Sequence, residues 1–207
     1  TISCADRMSD DLRPEVFQGP AFAVDRFYRM AFGDVSAGYL EWYRNTLPDR
    51  PDFDTLAALA QPIEPGAEGL RLDPNAPRAT VEHVFRGWTP RHTPGHAVRC
   101  ILEAVAWELR RQVLWLSGGT LPEQVRSAGG GARSDLWLQI KADVLGVPVA
   151  ATECPEPACL GAAILAEASL SGASVPQVAR HWVRFRRPHM PDAEQHRRYQ
   201  AIVDDVS

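Results

Sequence analysis

The stretch Gln124-Val125-Arg126-Ser127-Ala128-Gly129-Gly130-Gly131-Ala132-Arg133-Ser134-Asp135-Leu136-Trp137 decides the fold. Its first residues are β-prone. Three glycines then remove every Cβ from a turn, and Ser134 or Asp135 can cap the helix that follows. That helix is expected over Asp135 to Leu145, with Leu136, Ile140 and Val144 on one face. It stops at Gly146 with Pro148 just beyond, the usual order for a helix end. Val147 to Thr152 reads as a strand and Ala158 to Leu170 as a second helix, whose Leu160-Gly161-Ala162-Ala163-Ile164 is small enough for close packing. Strand, glycine turn, helix, strand, helix argues for an α/β sheet layered with helices. Backbone N–H groups at the helix start favour anions, and the missing side chains leave room for a flat base or a phosphate. A tight strand-to-helix turn without a ligand is the competing reading. The turn matches neither G-x-G-x-x-G nor the Gly-Lys-Ser/Thr of a P-loop, which disfavours a dinucleotide fold and a Walker ATPase.

Upstream, Thr93-Pro94 marks another helix start, with threonine as N-cap and proline at the first helical position, where no hydrogen bond is lost. The helix is expected to run to about Val113. Its apolar face, Val98, Ile101, Leu102, Val105 and Leu109, should pack on a sheet, with Arg99, Glu103, Arg110 and Arg111 largely off it. Between Pro48 and Pro94 six further prolines forbid long helices except at Asp54 to Gln61, leaving loop with short strands. Before that, Tyr39, Leu40, Trp42, Tyr43 and Leu47 recur at helical spacing after the Gly33-Asp34-Val35-Ser36 turn.

The 207 residues are 45% hydrophobic, enough for one buried domain. A net charge of −4 with dispersed basic residues gives no footprint for nucleic acid or an anionic membrane. No window holds the roughly 20 apolar residues of a membrane helix, and TISCADRMSDD carries acids where a secretory signal is basic, so a soluble, cytoplasmic protein is expected. Cys4, Cys100, Cys154 and Cys159 lack zinc-site spacing and read as reduced packing thiols. His92 and His96 stand four apart, but Thr93-Pro94 separates them, so they need not share a face; no metal site is assigned. His181, His189 and His196 lie among Arg184, Arg186, Arg187, Arg197 and Arg198, with Trp182 and Phe185 interleaved. Nearby Asp192, Glu194, Asp204 and Asp205 make a solvated surface or lobe contact the reading there.

The run Gly129 to Gly146 resembles the adenosine motif of FGGY carbohydrate kinases, a GGGA-x-S turn joined to W-x-Q-I-x-A-D-V-L-G. Other blocks follow the family's order. Ser36 to Asn45 is similar to S-A-G…W-x-R-D. Arg86-Gly87-Trp88 with His96 to Glu103 is similar to R-G-x-x-x-G-L…H-x-x-R-A-x-L-E-G. Ala158 to Ala163 resembles the A-L-G-A-A helix, and Pro188 to Tyr199 the closing segment. The resemblance implies an actin-like, ribonuclease-H-like ATPase fold, an α/β lobe with a mixed sheet and packed helices, with residues 1–207 as the C-terminal, nucleotide-binding lobe of a two-lobe sugar kinase. It implies ATP and magnesium as cofactors and a sugar or polyol as substrate, shared with an N-terminal lobe that carries the catalytic groups. No catalytic residue is therefore assigned here.

Carried over residue by residue, Gly129, Gly130, Gly131 and Ser134 would line adenine and ribose. Thr1 would match the threonine of a G-T phosphate turn, with the chain start expected to be a cut inside a larger protein. Ala37 and Glu41 fall where the family contacts nucleotide, although a solvated helix face is an equal role for Glu41. Leu70 to Arg78 departs from P-Y-L-x-G-E-R-x-P, and His83 and Trp88 depart around Gly87. A pentulose-kinase-like, xylulokinase-like substrate is favoured over the rest, without a particular sugar being fixed. The alternatives are a stand-alone actin-like nucleotide-binding or sensor module and an interaction domain whose glycine turn binds nothing. The oligomeric state, a homodimer included, stays open.

Overall fold

The structure is a computed structural model that describes residues 1–8, 10, 16–22 and 25–204. Ser9 and Asp11 of the acidic N-terminal run, and Asp205 of the C-terminal acids, lie outside the described residues. Strands β1 (Ile2–Ala5), β2 (Val16–Pro20) and β3 (Phe27–Ala31) make an antiparallel sheet with β3 in the middle, Met30 standing opposite Ile2 on one side and Phe17 on the other. Helices α1 (Gly38–Thr46) and α2 (Phe53–Ala60) follow. The proline-rich stretch then contributes a 3-10 turn (Ala67–Gly69), the two-residue strand β4 (Arg71–Leu72), a single turn α3 (Val81–Val84) and β5 (Phe85–Arg86), which pairs antiparallel with β4. Helix α4 (Pro94–Leu116) runs a turn beyond the expected end at Val113, because Val113, Leu114, Trp115 and Leu116 continue the helical chain until Ser117.

β6 (Val125–Ser127), α5 (Asp135–Leu145) and β7 (Val149–Ala151) form a parallel strand–helix–strand unit, with Val125 opposite Val149. α6 (Pro157–Ser171), α7 (Val175–Trp182) and α8 (Ala193–Asp204) close the chain. Antiparallel and parallel pairs both occur, distributed over three small sheets among the described residues. No helix among the described residues is long and apolar enough to cross a membrane.

The apolar face of α4 differs from its expected setting. It packs mainly against α5 and α2 and only secondarily on β1 and β3. Val98, Ile101 and Leu102 join Tyr39, Leu56, Trp137 and Ile140 in one core. A helix enclosed in this way must also bury polar positions, and Arg99 and Glu103 are 7% and 6% exposed instead of lying off the packed face. They survive burial because Arg99 Nε donates to Glu103 Oε1 at 2.7 Å. The Tyr199 hydroxyl of α8 accepts from Arg99 at 2.7 Å and donates to Glu103 at 2.9 Å, and the Gly66 N–H donates to both Glu103 oxygens at 3.1 Å. Burial and the Glu103 carboxylate push the Tyr199 phenol well above its ordinary range, so it remains a donor. The cysteines also divide: Cys100 is buried as a packing thiol, whereas Cys4 and Cys159 are exposed.

Candidate functional site

The three glycines of the loop between β6 and α5 meet three different physical demands. Gly129 has φ 82°, ψ −168°, a backbone state that a side chain makes costly. Gly131 packs under Trp137, and a Cβ there would stand 2.9 Å from a ring carbon. Gly130 needs neither, and nothing lies within 4 Å of the position its Cβ would take. The structure keeps that space open on the outer side of the loop.

The loop is held from several directions. Ala132 N–H donates to Gly129 O at 3.0 Å and Arg133 N–H to Gly130 O at 3.1 Å, a single tight turn. Ser134 caps α5, its hydroxyl accepting from the Trp137 N–H at 3.3 Å. Ser134→Ala is therefore expected to cost about 1 kcal/mol of unfolding free energy, read from the denaturant midpoint. The Trp137 indole N–H reaches across to the Leu102 carbonyl of α4 at 3.1 Å, and Arg186 donates to the Ala132 carbonyl at 2.6 Å.

In front of the loop is a cavity of about 490 Å³. Gly130, Gly131, Arg133 and Ser134 form one wall, Ala37, Gly38, Leu40 and Glu41 of the α1 start a second, and Asp52, Phe53, Asp54 and Ala57 of α2 a third, with Val98, Leu102 and Trp137 as floor. The structure thus brings together Ala37, Glu41, Gly130, Gly131 and Ser134, five of the residues singled out in the sequence. Gly129 shapes the loop without lining the cavity. Thr1 lines a neighbouring cavity of about 370 Å³, together with Ser36, Ser127 and Ala128. Ala37 lines both cavities, which makes the two adjacent.

Sequence reasoning did not foresee the α2 wall. Asp52 is the N-cap of α2, accepting from the Thr55 N–H at 2.7 Å, and hydrogen bonding from the Thr55 side chain and backbone holds its carboxyl below the usual carboxylate range. Phe53 is half exposed at the rim, with the Arg44 guanidinium over its ring at 5.4 Å. The Asp52-x-x-Thr55 cap was a readable helix signal; that this helix faces the glycine loop was not, because it depends on the crossing of α2 over α4. Among the described residues no group of three or more His, Cys, Asp or Glu side chains is arranged to hold a metal ion. His96 instead serves the α4 cap, its Nδ1 accepting from the Thr93 N–H at 3.1 Å, while Nε2 stands 3.4 Å from Glu68.

The site thus sits in a helix-layered α/β unit, and comparisons with known proteins place it further. Residues 37–170 match the FGGY family of carbohydrate kinases, C-terminal domain. The chain belongs to that family. It is 30% identical over 191 residues to a xylulose kinase of Bacillus subtilis (strain 168), covering 87% of this chain and 38% of that protein. It is 33% identical over 156 residues to an L-fuculokinase of Salmonella typhi, covering 73% and 33%. Among solved structures, a xylulose kinase from Rhodospirillum rubrum superposes with a TM-score of 0.75 at 25% identity, covering 99% of this chain and 44% of that one. A ligand-bound xylulose kinase from Lactobacillus acidophilus gives 0.79 at 19% identity, a likeness of fold. The chain spans 38% or less of the length of these curated relatives.

Proposed function

We propose that this chain is the nucleotide-side, C-terminal lobe of a two-lobe sugar kinase and that the 490 Å³ cavity takes the adenosine end of ATP. The observation that carries this reading is the open space at Gly130, a cradle that a single side chain would fill, set at the N-terminus of α5. The base lies against the Gly130–Gly131 backbone. Glu41, Asp52 and Asp54 on the opposite rim suit neutral donors, an exocyclic amine or ribose hydroxyls, and repel phosphate. The phosphate tail therefore points the other way, past Ala37 toward the hydroxyls of Thr1, Ser36 and Ser127 in the adjoining cavity.

Among the described residues no group of three or more His, Cys, Asp or Glu side chains is arranged to hold magnesium, so no step is assigned to it. The sugar or polyol, the catalytic groups and closure over the phosphates belong to the N-terminal lobe, since phosphoryl transfer needs positioning and charge neutralisation from both sides. The kinase names of the relatives favour this reading over a stand-alone nucleotide sensor. The likeness to xylulose kinases supports a pentulose as the substrate, with cytoplasmic metabolism as the setting.

The test is calorimetric titration of the protein with ADP and ATP, beside Gly130→Val. The variant is expected to weaken ADP by about two orders of magnitude, ~2.8 kcal/mol. Its unfolding free energy should stay within about 1 kcal/mol of wild type, because the added carbons enter the cavity and not the core. Equal binding by both proteins would remove the cavity from the reading. A sugar panel with the full two-lobe enzyme then identifies the acceptor, and failure to phosphorylate any sugar or polyol would overturn the kinase assignment.

A further inference from the structure

Lys141 is the only lysine in the chain; the rest of its 22 basic residues are arginines. It is also buried, 7% exposed, on α5 behind the glycine loop. Its Nζ donates to Ser127 Oγ at 3.3 Å and to the Gly131 carbonyl at 3.4 Å, long contacts for an ammonium. It lies 4.6 Å from the centre of the Trp137 ring. Among the described residues no carboxylate forms an ion pair with it. Ser127 ends β6 and Gly131 sits in the turn before α5, so the two acceptors bracket the segment Ala128–Gly130.

We infer that Lys141 is the positioning residue of the glycine loop, gripping its two ends from the inner side so that the Gly130 face is presented to the nucleotide. An arginine could not give up its charge in this setting, whereas a lysine can. Burial lowers the Lys141 ammonium to about 8, so the grip weakens as pH rises through that value. Lys141 also lines the cavity of about 370 Å³ that holds Thr1, and the other charged side chains there are Arg126 of β6, whose guanidinium stacks on Phe185, and Glu108 of α4, already bonded to Arg111 and Gln112. The Thr1 amine also lines it, itself lowered by burial.

The role in nucleotide binding rests on the adenosine reading above; the grip on the loop does not. Three measurements on wild type, Lys141→Met and Lys141→Arg separate them. The amide resonances of Gly129, Gly130 and Gly131 are expected to titrate with a midpoint near 8 in wild type and to be flat in both variants. ADP affinity is expected to fall about fivefold between pH 7 and pH 9 in wild type, and Lys141→Met to be weaker by a similar factor at pH 7. Lys141→Met should at the same time have a higher urea midpoint at pH 7, because it removes a buried charge. The sign follows from linkage: a folded-state pKa near 8 against about 10.5 unfolded means that wild type gains stability as pH rises from 8 to 10.5, and the variant does not.

Greater stability with weaker binding is a signature that a packing role does not give. Glycine resonances that titrate equally in Lys141→Met would assign the effect to Thr1 and overturn the inference, as would unchanged ADP affinity in that variant. If wild type binds no ADP at any pH, the adenosine reading fails, and the glycine resonances still decide the fate of Lys141.

Discussion

Glu103→Ala is expected to lower the free energy of unfolding by about 3–5 kcal/mol. The carboxylate is the shared acceptor for Arg99, the Tyr199 hydroxyl and the Gly66 N–H. Removing it leaves a guanidinium charge buried without a counter-charge and two donors without acceptors. Against a total of about 5–15 kcal/mol for a domain, that loss is a large fraction. Tyr199→Phe removes only the hydroxyl and should cost about 1–2 kcal/mol. Urea denaturation measures both. A loss under about 1 kcal/mol for Glu103→Ala would mean that water reaches the ion pair and that α8 is not anchored through it.

Gly95→Val should also be severe, at about 3 kcal/mol or more, and it should abolish nucleotide binding as well. Gly95 lies in the first turn of α4 where α2 crosses. A Cβ added there would overlap the Leu59 carbonyl oxygen and stand 3.0 Å from its carbon. These are backbone atoms of α2, so no side chain can swing away. The gain from replacing glycine in a helix is at most about 1 kcal/mol and cannot offset the overlap. α2 must move, and with it the Asp52–Ala57 wall of the cavity. The comparison with Gly130→Val is informative because the substitution is the same and only the location differs. At Gly130 binding is lost with the fold intact; at Gly95 the fold goes first. Thermal unfolding and ADP titration of the two variants distinguish them, and a Gly95→Val protein as stable as wild type would show that the α2–α4 contact is looser than described.

Much of the candidate site was legible in the chain because its signals are local. The glycine turn, the Ser134 cap and the Gly146 stop each act within a few residues, and α5 spans Asp135–Leu145 as its periodicity required, ending at Gly146 with φ 74°. The Thr93-Pro94 start is likewise where α4 begins. The helices α7 and α8 were not anticipated. α7 does carry a readable Ser174…Gln177 capping box, whereas α8, polar and closing the chain, takes its fixed position from Tyr199 entering the α4 core.

The sequence by itself therefore determined where chain direction changes and which helices form around the loop, since caps, glycine φ angles and apolar periodicity are properties of neighbouring residues. Only the tertiary structure decided that α4 is enclosed by helices, that Arg99 and Glu103 are buried partners, that α2 supplies an acidic wall, and that Lys141 stands behind the loop. Those facts depend on how elements far apart in sequence cross, and burial turns an ordinary charged residue into an anchor or a titrating group only once that crossing excludes water.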